Sequence, residues 1–189
     1  MSPADAFENL RSALEKTGVR YAIGGSWASA AFGEPRFTND VDILADLTEE
    51  NIQPFLAELP KSFYVDADAA LTAIRSGRSF NAIHIPTVLK FDFFPASAFP
   101  LGSEELDRAV SLEDSGLSKA PAPFVSAEDI LLAKLWWFRS GGEVSEVQWR
   151  DIQGIVRACA AKLDQRYMDE SAAKLGIGDL LNKALRAAP

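Results

Sequence analysis

Residues 21–46 read YAIGGSWASAAFGEPRFTNDVDILAD. An apolar run, Tyr21 to Ile23, ends on Gly24-Gly25-Ser26, and a small-residue segment follows to Phe32. Residues 41–45, VDILA, then have the composition of a strand. The order strand, glycine turn, short helix (26–32), loop (34–39), strand predicts an α/β or α+β core. Side chains two apart on a strand share a face, so Asp40 and Asp42 project together with α-carbons about 6.6 Å apart. At an effective dielectric near 20, two carboxylates at that distance repel by about 2.5 kcal/mol. A divalent cation reverses the sign. Mg²⁺ suits such a pair, because it takes hard oxygen ligands from one or two carboxylates and from substrate phosphates. Taken alone, the pair reads equally well as two solvated aspartates at a strand end.

The turn before the pair bears on that choice. Glycines let an anion approach the backbone closely, and a helix start turns N–H groups toward it. The Ser26 hydroxyl adds a donor. Gly24, Gly25 and Ser26 by themselves also fit a plain turn with a helix cap. A phosphate cradle beside a metal-binding acid pair is, however, what a nucleoside triphosphate with its Mg²⁺ requires. A third acid follows in TVLKFDFF (87–94), where alternation puts Val88, Lys90, Asp92 and Phe94 on one face. An aspartate inside so apolar a strand needs a partner. Asp92 finds one either in a metal site shared with Asp40 and Asp42 or in an arginine such as Arg36 or Arg78.

Outward from this stretch, helical spacing of Ala6, Phe7, Leu10 and Leu14 predicts a helix over 3–17, capped by Ser2. A strand is expected at 19–23, helices over 49–59 and 68–76, and a short strand at 62–65. Strands 79–85 and 87–94 flank IPT as a hairpin. Residues 95–125 are rich in Pro, Ser and Gly, with room for one short strand. From Ser126 the pattern is helical. Helices are expected to about Ser140, from Ser145 to about Ala161, and over 164–175 and 178–187. The outline is a sheet-bearing unit over 1–95, a connecting segment over 96–125 and a helical region over 126–189.

Composition narrows the function. The 189 residues carry a net charge of −8, with an excess of five acids before residue 95 and three after it. No polybasic block is present, which disfavours non-specific binding to long nucleic acid. The lone Cys159 can neither form a disulfide nor build a zinc site, and it fits a reducing cytoplasm. Neither a membrane span nor a secretion signal is expected. His84, the one histidine, reads as a structural or surface residue. Trp136 and Trp137 lie about 100° apart on a helix, so one faces the fold and the other is free for an interface or for stacking on a ligand.

The combined motif resembles the signature of the polymerase-β-like nucleotidyltransferases. Gly24-Gly25-Ser26, thirteen intervening residues, then Asp40-Val41-Asp42 match it. The approach RFTNDVD (36–42) is similar to the version found in small nucleotidyltransferases related to AbiEii-type toxins. SAEDILLAKLWWFRS and VQWRDIQGIV resemble that group's helical segment, whose lysine and Arg-Asp pair would be Lys134, Arg150 and Asp151. The resemblance implies an α+β fold, with a mixed sheet flanked by helices and a helical C-terminal half. It implies a nucleoside triphosphate bound through two Mg²⁺ ions on Asp40 and Asp42, completed by Asp92. Gly24, Gly25 and Ser26 would receive the β- and γ-phosphates. Asp92 would also help deprotonate an acceptor hydroxyl, and Lys134 would neutralise triphosphate charge. Arg36 would do the same or brace an aspartate, with Thr38 beside it in the motif; Asp151 completes the set. The acceptor is left open among tRNA, a protein side chain and a small molecule, as is pairing with an antitoxin. A catalytically silent, nucleotide- or partner-binding module of the same fold is the alternative.

Overall fold

The computed structural model of the chain describes residues 2–36, 38–113 and 115–187. Helix α1 (Pro3–Lys16) starts on a reciprocal cap, in which Ser2 Oγ accepts from the Asp5 N–H and the Asp5 carboxylate accepts from the Ser2 N–H. Its buried stripe of Ala6, Phe7, Leu10, Ala13 and Leu14 includes each apolar position expected from the spacing. Strand β1 (Tyr21–Ile23), helix α2 (Gly25–Phe32) and strand β2 (Asp40–Ala45) follow. Next come α3 (Ile52–Glu58), β3 (Phe63–Tyr64) and α4 (Ala67–Arg75). Strands β4 (Phe80–His84) and β5 (Leu89–Pro95) form the expected hairpin, with Phe80 opposite Phe93 and His84 opposite Leu89.

The segment after Pro95 is more structured than its composition predicts. It contains α5 (Gly102–Asp107), β6 (Val110–Leu112) and β7 (Ala122–Phe124). Strand β7 lies between β1 and β6 although Pro123 is its central residue. Proline cannot donate to a ladder, so it argues against an interior strand in any sequence reading. Here the bonding to β1 skips it: Val125 N–H donates to the Ile23 carbonyl at 2.9 Å.

The sheet order is β3-β4-β5-β2-β1-β7-β6. β2 runs antiparallel to β1 and parallel to β5, and β1 runs parallel to β7. The sheet is therefore mixed, and the fold is α+β as expected. On one face of the central strands, Val41, Ile43, Phe91 and Phe93 are fully buried. Phe55 of α3 meets Phe93 there at 5.3 Å and Phe80 stacks on it at 5.0 Å. The opposite face carries Asp40, Asp42, Lys90 and Asp92, and it faces α2 and the C-terminal helices.

Those helices are α6 (Ala127–Ser140), α7 (Glu146–Cys159), α8 (Gln165–Leu175) and α9 (Gly178–Ala187). Side-chain caps from Ser126, Ser145 and Asp164 start the first three. Arg139 of α6 binds both oxygens of Asp179 on α9, at 2.7 and 2.8 Å. One contiguous buried cluster runs from Leu10 and Ile43 in the sheet region to Ile155 and Leu181 in the helices. Among the described residues, no helix is long and apolar enough to cross a membrane.

Candidate active site

The site forms where the β1–α2 turn meets β2. The Gly24 N–H donates to the Asp42 carbonyl at 2.9 Å, which locks the turn against the acid-bearing strand. Gly25 has φ +51°, and a β-carbon added to it would lie 1.7 Å from Asp42 Oδ2. Both its conformation and this close approach demand glycine. The Ser26 hydroxyl accepts from the Arg36 guanidinium.

Parallel pairing of β2 with β5 sets Asp42 opposite Asp92 and Asp40 opposite Lys90. All three aspartates thus share one face, as the alternation predicts. Burial, then the neighbouring Asp92, raises the Asp42 carboxyl above the usual carboxylate range, while the Ser26 N–H and Lys134 act in the opposite direction. Asp40 is exposed. The Lys90 ammonium stands between the outer two acids, 2.8 Å from Asp92 Oδ2 and 3.5 Å from Asp40 Oδ1. The partner that Asp92 needs is therefore Lys90, not Arg36 or Arg78. Among the described residues, no three His, Cys, Asp or Glu side chains converge as a metal-ligating group. The donor set still suits a hard cation: all the oxygens are carboxylate, and Asp42 and Asp92 face each other in register with mutual repulsion. Asp40 can join them only if Lys90 moves aside.

The helical half contributes a second group. Lys134 of α6 pairs with Asp151 of α7 at 2.9 Å, and both are buried. Arg36 Nε lies 3.4 Å from the same Asp151 oxygen. Arg36 therefore joins Ser26 to Asp151 instead of bracing Asp40 or Asp42. Neither Lys134 nor Asp151 is an ordinary surface charge. Arg150, the other half of the Arg-Asp pair, is exposed and turns toward a different hollow beside Lys183.

A cavity of about 440 Å³ collects Gly24, Gly25, Ser26, Arg36, Asp42, Lys134 and Asp151 on its wall. Asp40, Asp92 and Thr38 are not part of that wall. Thr38 instead braces the start of β2, its hydroxyl accepting from the Asp40 N–H at 3.3 Å. Phe37, inside the same motif, lies outside the described residues. Away from Asp42 the wall becomes apolar, with Leu44, Phe94, Phe99, Trp136 and Trp137. Both tryptophans line it despite their angular separation. Their ring centroids are 4.8 Å apart, and Trp137 is still 43% exposed at the rim. His84 is fully buried on the opposite side of the sheet, with Nδ1 2.7 Å from Thr87 Oγ1 and burial holding its pKa down.

Two site residues had no role in the sequence reading. Lys90 was visible in the alternation of β5, but its partners depend on the β2–β5 register, which no local pattern specifies. Glu105 lines the apolar part of the cavity from α5, in a segment expected to be a connection.

No protein-family model matches this chain, and no curated protein matches it at the level of sequence. Solved structures do match. One is an antigenic nucleotidyltransferase-like protein from Paracoccidioides brasiliensis, with a TM-score of 0.56, 17% identity, and 98% of this chain and 94% of that one covered. Another is the antibiotic-resistance factor ANT(2'')-Ia, with a TM-score of 0.47, 19% identity, and coverage of 98% and 93%. At 17% identity the first of these likenesses concerns the fold alone: this chain shares the α+β architecture of that nucleotidyltransferase-like protein.

Proposed function

We propose that this protein is a Mg²⁺-dependent nucleotidyltransferase that moves a nucleotide from a nucleoside triphosphate to a hydroxyl acceptor. The observation that carries this reading is the convergence of the Gly24–Ser26 turn, the Asp42 carboxylate and the Arg36–Lys134 cations on one cavity. Backbone N–H groups, a carboxylate with a raised pKa, a buried lysine and a half-buried arginine in one hollow suit a triphosphate and its metal.

In this reading the Gly25 and Ser26 N–H groups and the Ser26 hydroxyl bind the β- and γ-phosphates. Lys134 and Arg36 offset charge on the triphosphate, and Asp151 holds both cations in place. Asp42 and Asp92, with Asp40 once Lys90 has moved, would hold the metal, which when bound stabilises charge on the reacting phosphoryl oxygens. Asp92 accepts the proton of the acceptor hydroxyl as its oxygen bonds the α-phosphorus. The bond from the α-phosphorus to the bridging oxygen breaks, and pyrophosphate leaves with that electron pair. The relation to AbiEii-type toxins belongs to this proposal, together with its RNA acceptor and any antitoxin partner. So do the protein and small-molecule acceptors.

The test incubates the protein with each α-labelled triphosphate, Mg²⁺ and a cell extract, and follows which fraction becomes labelled. Label is expected on one acceptor class with wild type and absent with Asp42→Asn or Asp40→Asn. Equal labelling by all three proteins would overturn the reading. The Lys90 bridge favours a second one, a nucleotide-binding module without catalysis, because an ammonium already bridges two of the three acids and offsets one of their negative charges. That reading predicts nucleotide binding without transfer.

A further inference from the structure

The cavity has two ends of opposite character. Backbone N–H groups, Arg36 and Lys134 mark one end. At the other, Phe99 lies 6.1 Å from Trp136 and 5.7 Å from Trp137, among Leu44, Phe94 and Ile130. Among the described residues, one ionisable group stands in that apolar end, the Glu105 side chain. Its carboxyl has no hydrogen-bond or ion-pair partner among the described residues. Burial, followed by the nearby Asp129 and Glu104, pushes its pKa up to about 8. Glu105 is half-buried, and its carboxyl, without a partner among the described residues, is free to bond an occupant of the cavity. The volume of about 440 Å³ is within the range of small-molecule sites, and the two ends belong to one space. Its occupant should join an anionic tail to a flat ring that has N–H groups on its edge.

We infer that the apolar end is the base pocket for a purine nucleotide, with the ring against Phe99 and Trp136 and its amino-bearing edge on Glu105. This rests on the triphosphate reading above and adds the identity of the base. The aromatic wall favours the larger ring system, because stacking scales with overlapped area. Adenine and guanine both present an exocyclic amino group to a carboxyl. They differ at N1: adenine accepts a proton there from a protonated carboxyl, whereas guanine donates one to an ionised carboxylate. Glu105 can meet either base, and its conservative variant separates the two.

Calorimetry with Mg²⁺ would compare non-hydrolysable ATP, GTP, CTP and UTP analogues with inorganic tripolyphosphate, using wild type, Glu105→Leu and Glu105→Gln. A purine analogue is expected to bind wild type at least about tenfold more tightly than tripolyphosphate or the pyrimidine analogues. It should also quench tryptophan fluorescence, which tripolyphosphate should not. Glu105→Leu should remove about tenfold of the purine affinity and leave tripolyphosphate unchanged. Glutamine supplies one donor and one acceptor, as a protonated carboxyl does. ATP binding that survives Glu105→Gln therefore assigns adenine, and GTP binding lost with it assigns guanine. Equal affinity for purines and pyrimidines, or nucleotide affinities untouched by Glu105→Leu, would overturn the base pocket and leave the triphosphate reading standing. The second of these results is expected if the apolar end serves the acceptor. Failure of tripolyphosphate and every nucleotide to bind would overturn both.

Discussion

Lys90 gives this acid face its particular character. Its ammonium bridges Asp92 and Asp40, and the two carboxylates raise its pKa through the Asp92 hydrogen bond first. A divalent ion on Asp40 must displace this cation, so Lys90 competes with metal. Lys90→Met removes the competitor while keeping the length of the side chain. The variant should bind Mn²⁺ several-fold more tightly, read as loss of the free-ion electron paramagnetic resonance signal; unchanged binding would show that Lys90 does not occupy the metal's place. Glu105 permits a second test, in stability alone. Its carboxyl titrates near 8 in the folded state against 4.5 in a free chain. The folded state therefore favours the protonated form. The stability tied to that proton is complete below about pH 4.5 and is lost as pH rises through about 8. Glu105→Gln should change stability little at pH 4 and raise it by roughly 1–4 kcal/mol at pH 9, measured by urea unfolding at both values. The acid pair itself was legible from period-two alternation. The charge that meets it was not, because sequence reports which face a strand residue occupies and not which residue stands opposite on a neighbouring strand.

Among the elements, the contact that positions the second half of the site is the approach of α2 to α7. Gly33 closes α2, and a β-carbon there would lie 2.9 Å from the Ile155 N of α7. That obstacle is backbone and cannot rotate away. Gly33→Ala should push the helices apart, shift Asp151 relative to Lys134 and Arg36, and destabilise the fold by about 1–3 kcal/mol. Urea unfolding together with the loss of any nucleotide-induced stabilisation would show both effects; a variant as stable as wild type would mean that the crossing is looser than this. Helix boundaries at this scale were readable to within a few residues wherever capping serines and periodic apolar residues coincide, as at Ser126 and Ser145. Strand β7 and helix α5 were not. Strand β7 has three residues with proline in the middle, and α5 has six. Both are too short for periodicity to register, and packing against the sheet decides them.

Across the whole molecule, the cavity is walled by β2 and the β1–α2 turn on one side and by α5, α6 and α7 on the other. A triphosphate held there would touch both the N-terminal sheet region and the C-terminal helices. Its binding energy should therefore appear as global stability and as slowed hydrogen exchange in both. At a ligand concentration one hundred times Kd the gain is about 2.7 kcal/mol, which for a chain of this length is a rise in Tm of roughly 5–10 °C. Mg²⁺ with a purine triphosphate should produce that shift, and Mg²⁺ alone should not, because Lys90 already bridges two of the acids and no phosphate is there to complete the ion's ligands. Exchange should slow around residues 24–44 and along α6 and α7 together. Protection confined to the turn and β2 would mean that the helical half takes no part in binding and that the Lys134–Asp151 pair only staples α6 to α7. Asp42→Asn should abolish the shift if metal carries the triphosphate. It should spare most of the shift if the backbone cradle and the Arg36–Lys134 cations hold the phosphates by themselves, and that result would favour the binding module over the enzyme.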